Sequence, residues 1–210
     1  MVKILNPHFV KECYTAEQEF LRSRDKGGWK ATWALNFATT LSKFNRMEEA
    51  LSQTLAVAQQ GTGPFYVQAL KGAIEWAYAV GRLHLATELL ESLRNHTTEP
   101  LPDRTSYLEN LLPSLVKAAD ALSLTDDQMA AMQVPAWALI REKRIEAGSI
   151  GIEDKVYNDG SPFISRTFEL PLPFEEVLRL EEALVKAQSK QEEALPIWDF
   201  SVSLREREVA

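Results

Sequence analysis

The sequence predicts a mainly α-helical protein: an antiparallel stack of helix hairpins followed by a small C-terminal β-β-α-β module. Three observations predict it. Asn45-Arg46-Met47-Glu48-Glu49-Ala50 is followed 36 residues later by Gly81-Arg82-Leu83-His84-Leu85-Ala86. Each copy joins an apolar run at helical spacing on its left (Trp33, Phe37, Leu41; Ala69, Ala73, Ala77) to another on its right (Leu51, Leu55, Ala58; Leu89, Leu90, Leu93). A helix–turn–helix recurring at such a period marks stacked α-repeats. After Gly148 the periodicity changes toward the two-residue alternation of strands.

Thr15-Ala16-Glu17-Gln18 fits a capping box, so a short helix is expected from there to about Ser23, broken by Gly27-Gly28. The first hairpin's leading helix is expected over Trp29–Phe44, with Trp33, Phe37 and Leu41 on its inner face. Asn45 suits the left-handed turn that follows. The returning helix is expected over Arg46–Gln60, turning Met47, Ala50, Leu51, Thr54, Leu55 and Ala58 inward. Gly61-Thr62-Gly63 ends it, and Pro64 is expected in the first turn of the next helix.

That helix, Pro64–Val80, is apolar nearly all round, which suits the middle of a stack. Gly81 makes the turn, Arg82–Asn95 pairs back, and Glu99-Pro100-Leu101-Pro102-Asp103 connects onward. A third, less faithful pair is expected. Tyr107 to Leu122 keeps the helical period, but Pro113 predicts a kink or a restart. Thr125-Asp126-Asp127-Gln128 is a second capping box, opening a helix expected to restart near Pro135 and reach Ala147.

Asn158-Asp159-Gly160 signals a tight turn between Val156-Tyr157 and Phe163-Ile164. An amphipathic helix is expected from Phe174 to about Glu193, with Val177, Leu178, Leu180, Leu184 and Ala187 on one side. Trp198, Phe200, Val202 and Leu204 alternate with polar residues, as a half-buried strand does. Two units follow: a helical repeat domain over residues 1–147 and an α+β module over 148–210.

The net charge of −7 is uneven. Residues 101–210 carry 12 Lys/Arg against 20 Asp/Glu, while the first hundred are nearly balanced. An acidic half argues against nucleic-acid or anionic-membrane partners, which need clustered positive charge. No stretch approaches the ~18 apolar residues of a membrane span. The opening Met1-Val2-Lys3-Ile4-Leu5-Asn6-Pro7 has no apolar leader region, and Cys13 stands alone, so a cytoplasmic location is expected.

The region 29–100 resembles the tetratricopeptide repeat family. Ala50 and Ala86 occupy the small position early in the second helix, and Asn45 and Gly81 the turn position. Phe37-Ala38 matches the large-then-small pair of the first helix; Ala73-Ile74 reverses it, and Leu41 and Ala77 replace the later aromatic. The closing proline is absent at Thr62 and matched loosely by Pro100, and the period of 36 exceeds the family's usual length of about 34. The resemblance implies a groove lined by first helices that holds a peptide or another protein's helix. Here Asn36, Thr39, Lys43, Gln68, Lys71, Glu75 and Tyr78 would line it. The clamp that some members close on a peptide's terminal carboxylate is not expected, because Leu35, Thr39 and Gly72 stand at its positions.

Motifs for chemistry are sparse. His84 and Glu88 are four apart on one helix, a spacing that can hold a metal, but a pair does not make a site. There is no nucleophile elbow, phosphate-cradling loop or dinucleotide fingerprint. A calcium loop at Asp159-Gly160-Ser161 is excluded, since Lys155 and Tyr157 cannot ligate calcium. No cofactor and no catalytic residue are expected.

The function expected is a non-enzymatic module that binds a protein or peptide partner. Trp198 is a candidate interface anchor, and the exposed C-terminal strand a route to a homodimer. One alternative is an immunity or inhibitor-type protein whose acidic half masks a basic toxin or nuclease. A small-molecule sensor using the interior around Trp76 and Tyr78, or an enzyme without recognisable motifs, completes the set.

Overall fold

A computed structural model describes residues 14–15, 17–22, 30–60, 63–98, 100–157, 163–190 and 199–207. The fold is mainly helical and carries one three-stranded sheet. Four helices lead the described chain beyond short helical stretches at 14–15 and 17–22: α1 (Ala31–Lys43), α2 (Met47–Ala58), α3 (Tyr66–Ala79) and α4 (Leu83–His96). Each packs on the next in the chain. Pro64 sits in the turn ahead of α3 and not in its first helical turn.

The two hairpin turns are built alike. Asn45 and Gly81 have φ of 58° and 82°. The Arg46 N–H reaches the Leu41 carbonyl at 3.1 Å, and the Arg82 N–H reaches the Ala77 carbonyl at 2.8 Å. These bonds, with those from Asn45 to Ser42 and Gly81 to Tyr78, are the Schellman pattern that satisfies the last helical carbonyls. Ser123 and Arg144 repeat it at two later helix ends. Gly81 has a further constraint, since a Cβ there would lie 1.8 Å from Gln133 Nε2.

The buried face of α1 is Ala34, Leu35, Ala38 and Leu41, with Trp33 and Phe37 half-buried beside it. Alanines let the neighbouring helix approach closely, so the aromatics are displaced to the flank. Phe37 stacks there on Phe20 at 4.1 Å. Ala34 and Leu35 cluster with Val57 of α2 and Ala69 of α3, while Trp76 of α3 packs on Ala38, Leu41 and Ala50. Side chains of α1 and α3 thus meet with those of α2 in two small apolar clusters.

The next two helices depart from expectation. Helix α5 (Asp103–Ala121) runs unbroken through Pro113, and α6 (Asp126–Glu142) through Pro135. Pro113 lies on the exposed side of α5, where its ring avoids the core and the lost hydrogen bond faces solvent. The Thr125–Gln128 capping box forms in full, each partner bonding the other's backbone N–H. However, α5 packs on α3, α4 and the first two strands, whereas α6 packs chiefly on the third strand and the last helix. They grip the sheet more than each other.

The sheet comprises β1 (Gly151–Tyr157), β2 (Phe163–Leu170) and β3 (Phe200–Glu206), in that order. The first pair is antiparallel; β3 runs parallel to β2 after the crossover helix α7 (Phe174–Gln188). Register aligns Asp154 with Arg166 and Arg166 with Val202 on one face. Ile164, Phe168, Leu170, Phe200 and Leu204 share that face and are buried. Trp137 of α6 meets Phe168 edge-on at 4.9 Å. One apolar cluster therefore runs from Met47 to Leu204, across the boundary expected at 147/148.

Helix α7 buries Val177, Leu180 and Leu184, but Leu178 is 47% exposed, turned about 100° from Val177. Its polar side chains reach the outer edge of β3. Glu181 accepts from the Leu204 N–H at 2.6 Å, and Gln188 donates to the Val202 carbonyl at 3.2 Å. Two groups of the strand expected to be open are thus already held within the chain. Among the described residues no helix is long and apolar enough to cross a membrane.

Candidate functional site

On α1, Asn36, Thr39 and Lys43 are all exposed and fall at i, i+3 and i+7, one stripe of the helix. On α3, Gln68, Lys71 and Glu75 repeat that spacing; Gln68 is exposed, while Lys71 and Glu75 are half-buried. The two helices share the small apolar clusters of Ala34, Leu35 and Ala69 and of Leu41 with Trp76. The Thr39 hydroxyl is spent on the Leu35 carbonyl at 3.0 Å. Glu75 faces Arg104 of α5 at 3.6 Å. Burial pushes the Glu75 carboxyl above its ordinary range, and the Arg104 charge offsets this only in part.

Tyr78 does not belong to that surface. It is 3% exposed, because α3 is covered on several sides and position 78 faces the sheet. The Arg166 guanidinium lies over its ring at 4.8 Å. Burial, followed by the nearby Asp154 carboxylate, pushes the Tyr78 phenol well above its ordinary value, so the hydroxyl stays protonated. Trp198 lies outside the described residues, as do Cys13, Trp29 and the Asn158-Asp159-Gly160 turn.

Around Tyr78 stands a charged cluster that periodicity alone does not reveal. Arg166 and Asp154 pair through two bonds, Nε to Oδ1 at 2.8 Å and Nη2 to Oδ2 at 2.6 Å. Arg166 Nη1 also donates to the Tyr78 carbonyl and to Gln133 Oε1, each at 2.8 Å. Gln133 Nε2 in turn donates to the Met129 carbonyl at 3.0 Å. A buried guanidinium with its donors so used ties β1 and β2 to the end of α3 and to α6. Burial works against the charged form, but the Asp154 carboxylate outweighs it and the Arg166 pKa is raised. The one sequence signal was a charged residue at an inward position of an alternating strand, between Ile164 and Phe168.

His84 does not pair with Glu88. Its Nδ1 lies 2.9 Å from Asp126 and its Nε2 2.9 Å from Asp120. Asp126 also accepts the backbone N–H groups of His84 and Leu85 at 3.0 Å, capping α4 from the start of α6. Burial pulls the imidazole pKa down, yet bonds to the two aspartates outweigh it and the net shift is upward. With both ring nitrogens facing carboxylates, the imidazolium is the form this clasp holds. No group of three or more His, Cys, Asp or Glu among the described residues is placed to hold a metal ion.

No protein-family model, curated protein or solved structure matches this chain.

Proposed function

We propose that this protein is a non-enzymatic interaction module, built on tetratricopeptide-like helix hairpins, that holds a protein or peptide partner across the outward stripes of α1 and α3. The observation that supports the reading is that Asn36, Thr39, Lys43 and Gln68 are exposed and Lys71 half-buried on two helices whose other faces share apolar clusters. Glu75 flanks the surface, and Tyr78 is removed from it. Two lysines on the stripes suit a partner segment bearing carboxylates. Recognition would rest on shape and a few polar contacts, with the rigid hairpins supplying preorganisation.

Part of the negative charge of the second half is paired within the chain. Asp154 is consumed by Arg166, Glu109 by Arg94, and Glu153 and Glu169 by Arg205.

Affinity purification of the intact chain followed by mass spectrometry identifies the partner, and Lys43→Glu/Lys71→Glu tests the surface. We expect the double charge reversal to weaken the partner about tenfold or more, the effect of like-charge juxtaposition at an interface. Unchanged affinity removes these stripes from the proposal, and catalytic turnover of a metabolite by the purified chain replaces it.

A further inference from the structure

Helix α7 leaves three large apolar side chains in solvent: Phe174 at 61% exposure, Leu178 at 47% and Val185 at 56%. At about 100° per residue they fall within about 40° of one another, one stripe beside the face that buries Val177, Leu180 and Leu184. A recess of about 530 Å³ adjoins the stripe, walled by Phe174, Val177, Leu178 and, from β3, Leu204. Next to the stripe runs a line of exposed charges, Glu175, Arg179, Glu182 and Lys186, centred about 90° further round the helix. None of the four pairs with an opposite charge among the described residues.

The order of these charges, acid, base, acid, base, is complementary to itself when reversed. Laid antiparallel against a second α7 about a centre between Leu180 and Glu181, the helix sets Glu175 level with the second copy's Lys186. Arg179 then stands level with the second copy's Glu182. Two-fold symmetry repeats both contacts, giving four pairs of opposite sign along one side of the seam. The same centre brings the second copy's Val185 midway between Phe174 and Leu178, about 3 Å along the axis from each. A branched side chain at that level enters the gap between them as a knob enters a hole. Sliding one helix by four residues sets Glu175 level with Glu182 in one direction, or Arg179 level with Lys186 in the other. Both are like against like, so charge and shape select a single register.

We propose that α7 is a self-association face, on which a second copy of this chain packs its own α7 antiparallel with Val185 seated between Phe174 and Leu178. The pairing is isologous and closes at two chains, so growth beyond a dimer belongs to some other surface. A seam built on one 15-residue helix falls in the weak class of interfaces, below roughly 1,200 Å². A dissociation constant of about 10–100 µM is expected. The face goes beyond the surface proposed above and shares no residue with the stripes of α1 and α3.

Sedimentation velocity of the intact chain from about 1 µM to 1 mM should show a reversible monomer–dimer transition. Leu178→Glu and Val185→Glu, both at exposed positions, should each weaken it about tenfold or more, since a charge would enter the apolar seam. Arg179→Glu and Glu182→Arg test the register. Alone, each sets like charges face to face twice and should weaken self-association about tenfold. Mixed in equal amounts, the two variants restore both contacts with the signs exchanged, and should form a heterodimer of near wild-type affinity. A fold made unstable by either substitution could not be rescued in this way. A wild-type chain monomeric throughout the range, undiminished association of Leu178→Glu and Val185→Glu, or a mixture no tighter than its separate components would each overturn the proposal. Such failure leaves the Lys43 and Lys71 surface as it stands, since neither lysine takes part.

Discussion

Arg166 and Asp154 face each other across β1 and β2 with neither side chain reaching solvent, joined by bonds of 2.6 and 2.8 Å. Removing one partner strands the other charge in the core. Asp154→Ala is therefore expected to cost about 3–5 kcal/mol, a large share of the roughly 5–15 kcal/mol that holds a domain folded. Asp154→Leu combined with Arg166→Met should recover most of that loss, because two apolar residues of similar size need no compensation. Denaturant midpoints of the single and double variants decide it. A double variant as unstable as Asp154→Ala would mean that the bonds to Tyr78 and Gln133 matter more than the pair.

Gly81 answers to two constraints at once: a φ of 82° and the approach of Gln133 Nε2 to the place a Cβ would occupy. Gly81→Ala should destabilise by more than about 2 kcal/mol, since the left-handed conformation alone costs about 1–2 kcal/mol for a residue with Cβ. Displacing Gln133 would also loosen its bond to Arg166. Ser123→Gly, at a turn of the same geometry (φ 57°), should be nearly neutral or slightly stabilising. Thermal melts of the two variants would have to fall on opposite sides of this contrast; similar melting temperatures would refute it.

The two faithful hairpins were legible because Asn45 and Gly81 are residues that favour a left-handed turn and because leucines mark the returning helices. Ser123 and Arg144 adopt the same conformation without carrying that signature, so the third unit's turn was hidden. The inner face of α1 was displaced onto Trp33 and Phe37, because alanine is silent in a hydrophobic pattern while aromatics dominate it. Pro113 and Pro135 suggested breaks that sufficient packing overrides. Tyr78 was placed on the surface because a helix apolar all round has no outward face to read. Register was out of reach altogether. Nothing local says that Asp154 sits opposite Arg166, or that Gln133 arrives beside Gly81, so the buried network emerges only in three dimensions.

His84 bridges Asp120 at the end of α5 and Asp126 at the start of α6. Its native pKa is raised above the ordinary value of 6.5. The native state thus holds the proton more tightly than the unfolded chain, so the clasp's contribution is complete below pH 6.5 and fades as pH rises through the raised native value. Stability should fall over that window, and His84→Gln should abolish the fall while leaving Asp126 to cap α4. Denaturant midpoints measured across the window provide the check. A parallel decline in wild type and variant would assign it to another group.

Glu181 holds the Leu204 N–H at the outer edge of β3, where burial raises its carboxyl pKa and the N–H bond opposes the rise only partly. A raised carboxyl binds its proton more tightly in the native state, so its ionisation near neutral pH works against folding. Glu181→Gln keeps an oxygen that can accept from Leu204 and removes the charge, and should be neutral or stabilising at pH 7. Glu181→Ala discards the acceptor as well, and should cost about 1 kcal/mol while exposing an edge N–H to intermolecular pairing. Light scattering of the alanine variant at rising concentration should show association that the glutamine variant lacks. If both variants associate alike, the carboxylate's charge guards the edge and not its hydrogen bond. The distinction bears on the proposed function, because an edge sealed by bonding would leave the sheet without a free strand to offer a partner.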